Sequence, residues 1–348
     1  MSPHRVDLDG QQGSNRREFM RSGAAGLAAT ALASRPVDDP AAKNAGGIPL
    51  RPLGKTGENV TMICLGGYHC STHPDENASI RLIQRAIDEG ITFLDNAWDY
   101  HDGRAEDRMG KAISQGNRRE KVFLMTKGCG RTARDAQSHL EDSLRRLRTD
   151  HLDLWQFHEI VYDNDPDWIF ASGGAIETAL KAKEQGKIRF LGFTGHKDPS
   201  IHLKMLDKPY PWSTVQMPLN VMDSQFRSFQ HKVLPVLNQR GIAPIGMKSL
   251  GGTGKVVADG ILTIDEALRY VLSLPIATLV SGIDSDKVLD QNLAIVREFK
   301  PMSAADMAAV ENKVRTIAGD GRYELFKSSK AFDGQFHRKQ HGFATEIS

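Results

Sequence analysis

Four side chains of this sequence have the types needed to work together on one oxygen atom: Asp95, Tyr100, Lys127 and His158. A phenol titrates near about 10, so Tyr100 alone is a reluctant proton donor at neutral pH. A nearby ammonium such as Lys127 favours the phenolate, each unit of depression amounting to about 1.4 kcal/mol. Asp95 can pair with Lys127 and hold it in place. His158 can hydrogen-bond a carbonyl oxygen or share a proton with Tyr100. The set is a tunable general acid aimed at an oxygen, and it contains no evident nucleophile or metal centre.

The elements around these residues must bring them to one place. Asp95 abruptly ends the apolar run of "ITFLD", Lys127 closes "KVFLMTK", and His158 follows "LDLWQF". Each of these runs reads as a buried strand. "IPLRPLGKTGENVT" predicts a short hairpin around Lys55-Thr56-Gly57, and a strand near Met62–Leu65 ends at Gly66-Gly67. Helices follow the strands. From Asp75 to Glu89, Ile80, Ile83 and Ile87 recur at helical spacing before Gly90, and "TARDAQSHLEDSLRRL" places Leu140, Leu144 and Leu147 on one face behind a Thr132/Asp135 cap. The strand ends at Asp95, Thr126, Phe157, Thr194, Gln216, Met247 and Ser281 lie about 31 residues apart on average, the length of one βα unit. With the strand near Met62 there are eight units. The expectation is an α/β chain folded as a (β/α)8 TIM barrel over residues 48–325, with a short N-terminal hairpin and a C-terminal helical extension. An open doubly wound sheet also alternates strands and helices, but no G-x-G-x-x-G follows the first strand. In a barrel, side chains at the C-terminal strand ends face one mouth, and all four residues lie there.

The same segments, "FLDNAWDYHDGRAEDRMGKAI", "VFLMTK", "LDLWQFH" and "GKIRFLGFTGH", resemble in order the signature segments of the aldo-keto reductase superfamily. The likeness runs from about Ile48 to Asn292. The resemblance implies that Asp95, Tyr100, Lys127 and His158 are a catalytic tetrad. It also implies reversible hydride transfer between a nicotinamide and an aldehyde, ketone or sugar carbonyl, with Tyr100 as proton donor in the reductive direction. Thr194 falls where the family usually has a Ser contacting the carboxamide, and Gln216 falls on its usual Gln partner. Gly195 and His196 replace the customary Asn. Met247, Lys248, Ser249 and Leu250 match the segment that packs against the nicotinamide and cradles the pyrophosphate. "SGIDSDKVLDQN" matches the adenosine end, with Ser281, Gly282, Lys287, Gln291 and Asn292 as candidates. The arginine that often clamps a 2′-phosphate is missing there. Lys287 is a weaker point charge, so NADP(H) is favoured over NAD(H) only modestly. Gly67 and Tyr68, after the first strand, join Asp95 as cofactor-side candidates. Tyr68 and His69 are candidate pocket walls, and Trp98 and His158 are candidate substrate contacts.

Two other readings share the barrel. One is a nicotinamide-binding sensor with vestigial catalysis, left open by the Thr194-Gly195-His196 variation. The other is a lyase using Lys127 as a Schiff-base amine. In His69-Cys70-Ser71-Thr72-His73 the two histidines lie four apart without a third or fourth convergent ligand, so no metal is expected. No cysteine follows Cys129, so no iron–sulfur tail is expected. The 45 basic and 43 acidic residues leave a net charge of +2, too balanced for a nucleic-acid binder.

Before the barrel, "SNRREFMRSGAAGLAATALAS" places Arg16-Arg17 ahead of a weakly apolar run closed by Ala31-Leu32-Ala33. This resembles a twin-arginine export signal over residues 1–33. It implies the twin-arginine export machinery as a partner, cleavage near Ala33, and a periplasmic or cell-surface location with no stable membrane insertion of the mature protein. Residues 34–47 read as a flexible linker. "AADMAAVENKV" reads as an amphipathic helix with Met307, Val310 and Val314 on one face, residues 326–348 read as a C-terminal tail, and its last residues, "RKQHGFATEIS", read as polar and fraying.

Overall fold

A computed structural model describes residues 42–331 and 333–343. The proposed signal, residues 1–33, lies outside the described residues. A hairpin of β1 (Leu50–Pro52) and β2 (Asn59–Thr61) precedes eight barrel strands. These are β3 (Ile63–Gly66), β4 (Phe93–Asp95), β5 (Phe123–Gly128), β6 (Leu152–Phe157), β7 (Ile188–Thr194), β8 (Thr214–Pro218), β9 (Ala243–Met247) and β10 (Thr278–Ser281). All pair in parallel with their sequence neighbours, and β10 closes on β3. The closed barrel, and not the open sheet, is the fold.

Strand parity decides where the chemistry lies. Successive side chains alternate faces, so residues two apart share the barrel interior. Phe93, Phe123, Met125, Leu154, Ala243 and Ile245 form an inner apolar cluster, while Leu94, Leu124, Trp155 and Phe157 pack outward. Continuing the inward positions by one step gives Asp95 on β4, Lys127 on β5, Gln156 on β6 and Met247 on β9. The interior is therefore apolar below and polar at its C-terminal rim. Leu53 and Val60 of the hairpin belong to the inner cluster, so the hairpin plugs the N-terminal end.

The helices form the outer layer. Helix Glu76–Asp88 is capped by the Asp75 side chain and buries Ile83 and Ile87. Helix Ala133–Leu147 is capped by Thr132, which accepts from the Asp135 amide, and buries Leu140, Leu144 and Leu147 as its periodicity predicts. Helix Ala304–Val314 carries a Ser303/Asp306 capping box and buries Val310 and Val314, with Met307 packed partly against the core.

Two boundaries differ from the sequence reading. Residues 42–47 of the predicted linker are docked: Asn44 Nδ2 donates to Gly90 O at 2.7 Å and Lys43 Nζ to Arg297 O at 2.8 Å. The predicted tail also folds. Phe326 and Lys327 are buried, and helix Gln335–Gln340 leads to a fully buried His341. Polarity concealed this, because the tail's buried groups are satisfied by ion pairs with the barrel loops and not by apolar packing.

Candidate active site

Asp95 and Lys127 form a buried ion pair at the rim, their side chains 3% and 1% exposed. Lys127 also donates to the Asn96 carbonyl at 2.6 Å, so its position is set from two sides. Its Nζ lies 5.0 Å from the centroid of the Tyr100 ring. The His158 ring meets Tyr100 edge-on, at 5.6 Å between centroids. The structure thus gathers all four tetrad residues at one mouth.

Tyr100 begins a tight turn, Tyr100–Gly103, in which His101, Asp102 and Gly103 have φ of 53°, 57° and 85°. Left-handed backbone at two non-glycine residues in succession is costly and persists where the surroundings hold it. Here they do so. Arg146 donates to the Trp98 carbonyl at 2.8 Å and pairs with buried Glu106, which accepts from Thr126 at 2.6 Å. Gly103 suits its left-handed φ of 85°, and a Cβ there would meet the Arg146 guanidinium at 2.3 Å, so a substitution would be strained and would push Arg146 off the loop. From the other side Tyr68 packs edge-on against Tyr100 at 5.3 Å and stacks on His101 at 4.4 Å.

The electrostatics correct one expectation. Burial, followed by the charges of Asp95 and Asp99, pushes the Tyr100 phenol well above its ordinary range. Lys127 is not among the leading influences on the phenol, and Asp95 pairs directly with its ammonium. Asp95 itself is raised by burial, against the pull of Lys127. A protonated phenol is the form a proton donor requires.

Trp98 is anchored from the helix side. Its ring stacks on His139 at 3.5 Å, its Nε1 donates to Asp142 at 3.2 Å, and Arg146 lies 5.6 Å from it. Trp98 therefore fastens the loop to helix Ala133–Leu147, and its ring is only half-buried there. His69 lies over Gly282, where an added Cβ would meet its Nδ1 at 2.7 Å, so it bridges the loops after β3 and β10. Cys70 donates back to the Gly67 carbonyl and His73 bonds at Asp75, so these three residues do not converge.

The cofactor-side candidates line the other half of the rim. Gly67 allows close backbone approach: a Cβ there would meet the Asp95 carbonyl at 2.6 Å. Thr194 and Gln216 are adjacent on β7 and β8 and both buried. Gln216 Oε1 is a buried acceptor without a hydrogen-bond partner among the described residues. Met247 Sδ lies 3.8 Å from Gln216 Nε2. Lys248 has a left-handed φ of 58° and reaches over the Phe326 ring at 5.3 Å. Ser249 is buried and Leu250 half-buried beside it. Asn292 Nδ2 donates to Ser281 Oγ at 2.8 Å, which ties helix Asp286–Arg297 to β10. Lys287 is exposed, Gln291 is half-buried, and Asp284 and Asp286 stand close to Lys287 in sequence.

Sequence reasoning missed several residues here. Asp99 Oδ1 lies 2.9 Å from His158 Nδ1. Arg131, 1% exposed, pairs with Asp165 at 2.9 Å and donates to the carbonyls of Cys129, His158 and Glu159. It is the strut between the loops after β5 and β6. Glu159 follows His158 with a φ of 52°, and its Oε1 lies 3.8 Å from His337 of the C-terminal helix. Two clefts lie elsewhere, one around Asn44, Asp88 and Lys121 and one around Lys55, Tyr210 and Arg240; both sit at the N-terminal end of the barrel and contain no tetrad residue.

Residues 62–260 match the aldo/keto reductase family, and the chain belongs to it. Among its relatives in Bacillus subtilis, it is 35% identical over 159 residues to the uncharacterized oxidoreductase YrpG, a match covering 40% of this chain and 47% of that protein. It is 31% identical over 193 residues to the aldo-keto reductase YhdN, covering 51% and 53%. These alignments span about half the length of each relative. The aldo-keto reductase AKR11C1 from Bacillus halodurans shares the fold, with a TM-score of 0.63, 22% identity, and 76% and 96% of the two chains covered.

Proposed function

We propose that this protein is an NADP(H)-dependent oxidoreductase that reduces an aldehyde, ketone or sugar carbonyl, with Tyr100 as the proton donor. The observation that carries the reading is the buried Asp95–Lys127 pair beside Tyr100 and His158 at one rim. The rim also suits a nicotinamide: Gln216 Oε1 is a buried acceptor awaiting a donor, and a carboxamide NH2 is such a donor. Thr194, Gln216 and Met247 would hold that end, Lys248, Ser249 and Leu250 the pyrophosphate, and Ser281, Gly282, Lys287, Gln291 and Asn292 the adenosine end. When bound, the cofactor supplies the hydride.

The chain's own residues do the rest. Tyr100, held protonated, donates to the carbonyl oxygen as negative charge develops there. Lys127 places a positive charge beside the resulting phenolate, and Asp95 keeps Lys127 aligned. Lys287 is the cation nearest in sequence to the expected adenosine site. As a point charge without the bidentate fork of an arginine, it would favour a 2′-phosphate by about tenfold or less. The Arg16-Arg17 pair and the Ala31-Leu32-Ala33 site support export of the folded protein with its cofactor already loaded. Fractionation of cells carrying Arg16→Lys with Arg17→Lys tests this; retention of the variant inside the cell is expected, and unchanged export refutes it.

The reaction is tested by mass and absorbance spectra of the purified protein for bound NADP(H), followed by a panel of aldehydes and sugars. Carbonyl-dependent consumption of NADPH is expected. A protein that neither retains nor binds a nicotinamide refutes the proposal.

A further inference from the structure

The strongest unassigned feature is the group behind His158. Asp99 Oδ1 lies 2.9 Å from His158 Nδ1, and Cys129 Sγ lies 3.4 Å from that nitrogen and 3.5 Å from the Asp99 oxygen. An oxygen, a nitrogen and a sulfur this close also resemble a cation site. The protons argue otherwise. Burial and the neighbouring carboxylates push the Cys129 thiol well up, so it stays S–H and donates to Asp99. Asp99, despite burial, is held down to about 2 by His158 and by hydrogen bonds. It is therefore a carboxylate, which only accepts, and the nitrogen facing it must carry a proton.

We propose that Asp99 is a positioning residue that fixes the tautomer of His158 and raises the share of it that is imidazolium during turnover at Tyr100. With Nδ1–H committed to Asp99, Nε2 is the nitrogen left to serve Tyr100 and the substrate oxygen. This inference rests on the reductive role of Tyr100 proposed above. In the reductive step the hydride adds to the carbonyl carbon, and the carbonyl oxygen takes the Tyr100 proton. The phenolate regains a proton from Nε2 of the imidazolium form of His158, and the neutral ring is recharged by a proton from bulk solvent, the one proton that carbonyl reduction consumes. Asp99 stays ionised throughout and stabilises the imidazolium that supplies the proton.

Opposing influences converge on His158, so the Asp99 contribution is separable. On the loop after β4 and on β4 itself, Asp99 and Asp95 favour its charged form, while Lys127 from β5 and burial disfavour it. Tyr100 and Cys129 stand beside it as neutral groups. From the other side it faces His196 after β7 and His337 and His341 of the C-terminal segment. Burial prevails and leaves His158 below its ordinary range. Removing the Asp99 charge must lower it further.

Asp99→Asn keeps the shape and removes the charge. Histidine-labelled NMR on the cofactor-bound enzyme reads the His158 titration, and the pH profile of kcat for reduction reads its use. For Asp99→Asn the His158 titration should move down by about one pH unit or more. The fall of reductive kcat with rising pH should move with it, leaving about a tenfold loss above both midpoints while KM for NADPH stays within about twofold. Asp99→Glu should restore most of both and guards against misfolding of the first variant. A His158 titration unmoved in Asp99→Asn overturns the proposal. A shifted His158 with an unshifted rate profile shows that the protonation Asp99 sets is not used in turnover and overturns the catalytic part of the proposal, while the role of Tyr100 is read separately from Tyr100→Phe.

Discussion

Replacing Glu324 by Gln should change the pH dependence of stability more than its magnitude at low pH. Glu324, Lys327 and Asp223 are fully buried, and two carboxylates share one ammonium. Asp223 is further satisfied by the amides of Phe229 and Gln230 at 3.0 and 2.8 Å, while Glu324 has Asn220 Nδ2 at 2.9 Å. Burial pushes Glu324 from 4.5 to about 7, reinforced by Asp223 and opposed by Lys327. A carboxyl raised in the folded state keeps its proton there longer than in the unfolded chain. Its stability contribution is complete below about 4.5 and is lost as pH rises through about 7. The loss is about 3 kcal/mol. Glu324→Gln lacks this titration, so urea unfolding should show the variant gaining about 3 kcal/mol on the wild type across that window. A difference between the two that stays flat with pH refutes the reasoning. Lys327→Met makes the opposite test, since stranding both carboxylates should cost about 3–5 kcal/mol near neutrality. The cluster matters to function because it seats Phe326 against Lys248 and His196.

Lys127→Met should remove carbonyl reduction and cost about 3–5 kcal/mol in urea unfolding by leaving Asp95 buried and unpaired, and adding Asp95→Asn should recover stability but not activity. Lys287→Ala should raise KM for NADPH by about tenfold or less and leave KM for NADH unchanged, read in parallel steady-state assays. A chain ending at residue 331 loses the Lys197–Asp333 pair at 2.8 Å and the Tyr162 hydroxyl's bond to the Asp333 carbonyl at 2.7 Å. Hydrogen exchange should then quicken in the loop after β6, with unchanged protection in β4 and β5.

The barrel was legible because its signals are local. Apolar runs that stop at a polar residue mark strand ends, and the alternation Phe93–Asp95 and Phe123–Met125–Lys127 puts those residues on one interior face. Asp99 was not legible as a partner of His158, since 59 residues separate them and only the closed barrel brings them together. The orientation of Trp98 was hidden for the same reason: its partners His139 and Asp142 lie on the next helix. The state of Tyr100 turned on a balance of charges. Lys127 alone points to a lowered phenol, whereas burial and the charges of Asp95 and Asp99 raise it.

The C-terminal segment defeated composition-based reasoning. "RKQHGF" is polar, yet Arg338 lies 4.5 Å from the centroid of Tyr162 and 5.3 Å from that of Trp168, and His341 is buried beside Arg131. Cationic and aromatic groups can bury a segment without an apolar stripe, and periodicity does not detect them.

The central claim, that Tyr100 delivers the proton, is tested most directly by Tyr100→Phe measured for both carbonyl-dependent NADPH oxidation and NADPH binding. A loss of about 100-fold or more in kcat with NADPH affinity within about twofold is predicted. Turnover close to that of the wild type in Tyr100→Phe contradicts it.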